Sequence, residues 1–132
     1  MKKFEIRDVP AAGNCLFEAI GRSCEISAHN LREIVVSFLK IPNQELQDEP
    51  VKTWIEGPID KYIETISKNG AWGGGLEISI LANVLHRRII VYARTGNSSA
   101  KIIAEFYPKE TTFKDIHILY VGNHYMQLIE TF

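Results

Sequence analysis

A thiol at Cys15 and an imidazole at His124 are the two side chains in this sequence best placed for covalent chemistry. Ala11-Ala12-Gly13-Asn14 reads as a turn feeding a helix, because Cys15, Leu16, Ala19 and Ile20 follow at helical spacing. A thiol in the first turn of a helix faces unpaired backbone amides and the positive end of the helix dipole, and both favour thiolate. The turn through Gly13, Asn14 and Cys15 can also aim amides at a developing oxyanion. His124 follows Gly122-Asn123 at the junction of two strand-like runs. A late strand can return it to the amino-terminal turn, where an imidazole within hydrogen-bond reach takes the thiol proton. The competing reading of Cys15 is a core cysteine beside Leu16 and Phe17. His29, His86 and His117 are weaker candidates: His86 ends a helix in a basic tract, and His117 alternates with Ile116 and Ile118 on a strand. The run Trp72-Gly73-Gly74-Gly75 is the most unusual composition in the chain, since consecutive glycines admit a close approach of another chain. Trp72 itself also suits a core anchor.

The remaining chemistry is mostly excluded. Cys15 and Cys24 are too few for a disulfide scaffold, their spacing matches no zinc motif, and the histidines add no paired ligand, so neither metal nor cofactor is expected. A net charge of −1 excludes a polycationic nucleic-acid binder. No apolar run approaches the roughly 18 residues of a membrane span, and Met1-Lys2-Lys3-Phe4-Glu5 lacks a signal-peptide core, so a cytoplasmic protein without membrane association is expected. With 132 residues, 45% apolar and 23% charged, the chain reads as one domain over 1–132. Its oligomeric state is not written in the composition.

The elements that must position these residues follow from periodicity. Phe4 to Val9 alternates as a strand ended by Pro10, and Cys15 to Arg22 forms a short helix. Ser27 or Asn30 caps a second helix bearing Leu31, Ile34, Val35, Phe38 and Leu39, which stops before Pro42. Polar residues 43–50 read as a loop or exposed turn. A helix from Thr53 to Lys68 is expected, with Gly57-Pro58 splitting or kinking it. The glycines open a further helix through Leu85. Arg88 to Tyr92 reads as a central strand, paired through a turn at 95–98 with Lys101 to Tyr107, and Ile116 to Val121 and Tyr125 to Ile129 complete the strands. Helices first and strands late predict an α+β domain, with helices packed around a small, mostly antiparallel sheet.

Three blocks in this order resemble the ovarian-tumour (OTU) family of cysteine proteases: Gly13-Asn14-Cys15-Leu16-Phe17, Trp72-Gly73-Gly74 with Leu76-Glu77, and Asn123-His124-Tyr125. Leu31-Arg32-Glu33-Ile34-Val35 and Ile89-Ile90-Val91-Tyr92 look like that family's second helix and central strand. The resemblance implies the papain-like OTU fold and cleavage of ubiquitin, or a ubiquitin-like modifier, after the modifier's terminal Gly-Gly. It makes Cys15 the nucleophile and His124 the general base. It puts the oxyanion hole at Gly13, Asn14 and Cys15, and has Trp72, Gly73 and Gly74 line the channel for the substrate's terminal glycines. The implied partners are ubiquitin or polyubiquitin chains, with host cytoplasm as the compartment for a viral or bacterial member.

The sequence departs from the family where a triad is completed. Ala12 stands where many members carry Asp, and Met126 where others carry Asp or Asn. Three readings remain for the partner of His124: Asn123, Asp8 reaching in from the first strand, or a dyad oriented by a backbone carbonyl or water in place of a side chain, and the sequence favours this last. A thiol needs less activation than a hydroxyl. The same two departures motivate an alternative function, a catalytically weak or inactive OTU-like ubiquitin-binding module.

Overall fold

The computed structural model describes residues 3–10, 12–95, 99–110, 113–122 and 124–131. Strand β1 (Lys3–Arg7) leads into α1 (Cys15–Cys24) and α2 (Ala28–Lys40). A hairpin of β2 (Glu45–Leu46) and β3 (Glu49–Pro50) and a short 3-10 turn (Val51–Trp54) precede α3 (Ile59–Ile66) and α4 (Gly75–Leu85). Strands β4 (Ile89–Arg94), β5 (Ala100–Phe106), β6 (Ile116–Val121) and β7 (His124–Thr131) follow. The main sheet runs β1-β7-β6-β4-β5. Its pairs are antiparallel except β4 with β6. The architecture is α+β, as the sequence predicts.

Alternation along the strands gives the sheet two unequal faces. Ile89, Val91, Ile116 and Ile118 join Leu16, Phe17, Ile20, Leu31, Val35 and Leu81 in the main core beneath the helices. Ile90, Tyr92, Leu119 and Leu128 form a smaller cluster with Phe4 and Met126 on the other face. The helix α2 starts as its cap residue dictates, with Ser27 Oγ accepting the Asn30 amide at 3.1 Å. Among the described residues no helix is long and apolar enough to cross a membrane.

Two expected elements take a more definite form. Within residues 43–50 the expected loop or turn is a hairpin: Gln47 and Asp48 both adopt positive φ, 56° and 61°, and close the β2–β3 pair, while Leu46 is buried at its base. A left-handed pair without glycine leaves little trace in sequence. The helix expected over 53–68 is divided at Gly57-Pro58, so that Thr53 and Trp54 belong to the 3-10 turn and only Ile59–Ile66 is α-helical. The strand Ile89–Arg94 lies inside the sheet, but β6 is its middle strand. Residues 96–98 of the expected turn lie outside the described residues.

Candidate active site

Cys15 opens α1 and is fully buried. Its amide donates to the Ala12 carbonyl at 2.9 Å, so this amide is engaged within the turn and does not point toward a reacting carbonyl as the sequence reading expects. The Asn14 side chain is turned back into the protein: Oδ1 accepts from Arg32 Nη2 at 2.5 Å and from the Gly70 amide at 3.1 Å, and Nδ2 donates to Asn69 Oδ1 at 2.9 Å. A Cβ on Gly13 would stand 1.5 Å from the Gly70 carbonyl oxygen, so only glycine lets the two loops meet.

Helix α1 packs along β7, with Gln127 Nε2 donating to Ser23 Oγ at 3.3 Å near its far end and Tyr125 close enough to sense charge at Cys15 near its first turn. Burial is the main reason the Tyr125 phenol is pushed above its usual value, with charge at Tyr120 and Cys15 adding to it. His124 is the first residue of β7. Its Nε2 lies 2.8 Å from Asp8 Oδ1, whereas Nδ1 is buried and has no hydrogen-bond partner among the described residues. The hydrogen bond from His124 is the largest influence holding the Asp8 carboxyl below its ordinary range; a slight loss of solvent opposes it, and the Val9 amide, 2.9 Å from Oδ1, lowers it further.

This geometry corrects the expectation of a dyad without a side-chain acceptor. Arg7 pairs with Gln127 across the β1–β7 rung, which puts Asp8 beside Met126 and diagonal to His124. The residue that follows β1 thus supplies the acceptor that positions 12 and 126 lack. Asn123 lies outside the described residues.

The glycine run behaves residue by residue. A Cβ on Gly73 would press to 2.9 Å from Leu16 Cδ2 and 3.2 Å from the Phe17 ring, whereas one on Gly74 or Gly75 would meet nothing. Trp72 is 54% exposed, which overturns its reading as a core anchor. Glu77 is buried and fixes the start of α4: Oε1 accepts the Gly74 amide at 2.7 Å and Oε2 accepts the Tyr62 hydroxyl in a short bond. Burial, then the bond to Glu77, pushes the Tyr62 phenol well above its ordinary value. His117 is buried on the opposite sheet face, 3.0 Å from the Tyr92 hydroxyl, and His86 is the left-handed cap of α4. Among the described residues no group of three or more His, Cys, Asp or Glu side chains could hold a metal ion.

The model of OTU-like cysteine proteases matches residues 10–128. The chain belongs to the OTU-like cysteine protease family. It is 32% identical to otu1 of Schizosaccharomyces pombe over 91% of this chain and 34% of that protein. It is 27% identical to the human deubiquitinase OTUD6B over 94% of this chain and 46% of that protein. It therefore spans less than half the length of these two curated relatives. A solved ovarian tumor domain in complex with ubiquitin matches with a TM-score of 0.73 at 27% identity, covering 97% of this chain and 70% of that one.

Within this OTU domain the structure gathers Cys15, Gly13 and Asn14 against the loop that leads through Trp72, and sets Tyr125 of β7 near Cys15. Sequence reasoning overlooked two buried charges, Arg32 and Glu77, quoted only as part of a resemblance. Both sit next to apolar positions on their helices, and their acceptors and donors come from segments far along the chain.

Proposed function

We propose that this OTU domain is a cysteine isopeptidase that removes ubiquitin, or a ubiquitin-like modifier, from conjugated proteins. The observation that carries the reading is the state of His124: one ring nitrogen held by a carboxylate, the other buried, without a hydrogen-bond partner among the described residues, and borne on the strand against which the Cys15 helix packs. An imidazole so oriented is suited to take a thiol proton.

In the reaction, Nδ1 of His124 accepts the Cys15 proton, and the thiolate attacks the carbonyl carbon of the modifier's last glycine. The oxyanion is met by the Gly13 and Asn14 amides of the turn, the Cys15 amide being engaged with the Ala12 carbonyl. The imidazolium returns its proton to the lysine nitrogen as the isopeptide bond breaks, leaving a thioester at Cys15. Water, deprotonated by His124, attacks the thioester and releases the modifier's carboxylate and the free thiol. Asp8 keeps the imidazole oriented and stabilises its charged form. Trp72, Gly73 and Gly74 form the wall along which the glycine tail lies, with open space at Gly74 and Gly75. The bond to Asp8 supplies the acceptor whose lack at Ala12 and Met126 motivated a binding-only module, and so favours turnover. Such conjugates place its work in the cytoplasm.

Ubiquitin carrying a thiol-reactive warhead at its carboxy terminus tests this directly. An adduct that survives Cys24→Ala and is lost in both Cys15→Ala and His124→Ala is the expected result. Ubiquitin binding without any adduct would instead establish a reader.

A further inference from the structure

Arg32 sits on α2, away from the reacting atoms, and is 3% exposed. Its Nη1 donates to the Ile66 carbonyl at 2.9 Å, and its Nη2 donates both to Asn14 Oδ1 at 2.5 Å and to the Ala71 carbonyl at 2.8 Å. The guanidinium also covers the Phe17 ring, 4.5 Å from its centroid. These acceptors belong to three separate segments: the turn before the nucleophile, the end of α3, and the residue preceding Trp72. One nitrogen with two hydrogens therefore fixes the separation between the turn that carries Cys15 and the wall that carries Trp72.

We infer that Arg32 is a positioning residue for the reaction, a fork that holds the oxyanion turn and the glycine-channel wall in register. The inference rests on the isopeptidase reading. Asn14 transmits the effect. With its side chain bonded to Arg32, Asn69 and Gly70, it acts on the turn's geometry and not on the substrate. Lysine keeps the charge but cannot present a planar set of donors to three acceptors. Because Arg32 is buried behind the channel, its replacement disturbs alignment of the reacting carbonyl more than capture of the modifier.

Steady-state hydrolysis of a ubiquitin carboxy-terminal fluorogenic amide by Arg32→Lys, Asn14→Ala and the double variant is the test. Each single change is expected to lower kcat about tenfold to a hundredfold, since small misplacements at a reacting centre have effects of that size. KM is expected to stay within about threefold of the parent value. The double variant should lose less than the product of the two single losses, because both remove one contact. Amide exchange supplies a readout independent of turnover: Arg32→Lys should speed exchange at Gly70 by about tenfold while the sheet remains protected. An Arg32→Lys protein that melts cooperatively, turns over within about twofold of the parent and leaves Gly70 exchange unchanged overturns the inference. Should Arg32→Lys not fold, Asn14→Ala decides: reduced kcat at constant KM supports the fork, and unchanged kcat rejects it. If the unmodified protein hydrolyses nothing, the isopeptidase reading fails, while exchange at Gly70 still decides the fork.

Discussion

His124 gives its two ring nitrogens opposite environments, and Asp8 determines which is which. The Asp8 carboxyl is held below its ordinary value of 3.8 chiefly by the hydrogen bond from His124, so it is ionised throughout the neutral range. A carboxyl lowered in the folded state contributes stability above its unfolded value, and that contribution disappears as pH falls through the lowered one. Urea titrations should therefore find Asp8→Asn less stable than the parent at pH 7, with the difference closing below pH 3.8. The Asp8 side chain is largely exposed, so salt should reduce the difference at neutral pH. At pH 7 Asp8→Asn should also lower kcat, by about tenfold, with KM retained, because the substitution keeps an acceptor oxygen but removes the charge opposite the imidazolium.

At the scale of elements, the contact between α3 and α4 shows how a helix end is set by a buried acid. Glu77 holds the Gly74 amide with one oxygen and the Tyr62 hydroxyl with the other. Tyr62→Phe leaves that second oxygen without its donor and should destabilise the domain by about 1–3 kcal/mol at neutral pH. The Tyr62 phenol is raised above 10, first by burial and then by Glu77, so its contribution is present below pH 10 and is lost as pH rises through the higher folded value. The stability gap between parent and Tyr62→Phe should thus narrow in denaturant titrations above pH 10. Periodicity was sufficient to place α1, α2, α4 and the four late strands, because their apolar residues repeat with the element's own period. It could not place Asp8, whose role depends on the β1–β7 register, or Arg32, whose acceptors lie at Asn14, Ile66 and Ala71. The sequence admits a turn within 43–50 but does not point to Gln47-Asp48, because positive φ is usually announced by glycine, and none is there.

For the whole molecule, stability and the proposed catalysis draw on the same sheet. Ile118 lies on the middle strand and is fully buried in the main core. Ile118→Ala should cost about 2–5 kcal/mol, read from the urea midpoint. Because β6 pairs directly with β7, which begins at His124, loss of turnover and loss of circular dichroism should coincide in that titration. Separate transitions would show that the site melts apart from the sheet. Asp8 and His124 meet across 116 residues of sequence, at the ends of strands β1 and β7 that pair only in the finished sheet. A ribosome making this chain therefore releases Cys15 early and His124 late, and on the isopeptidase reading proposed above the nascent domain carries an idle thiol until β7 is docked.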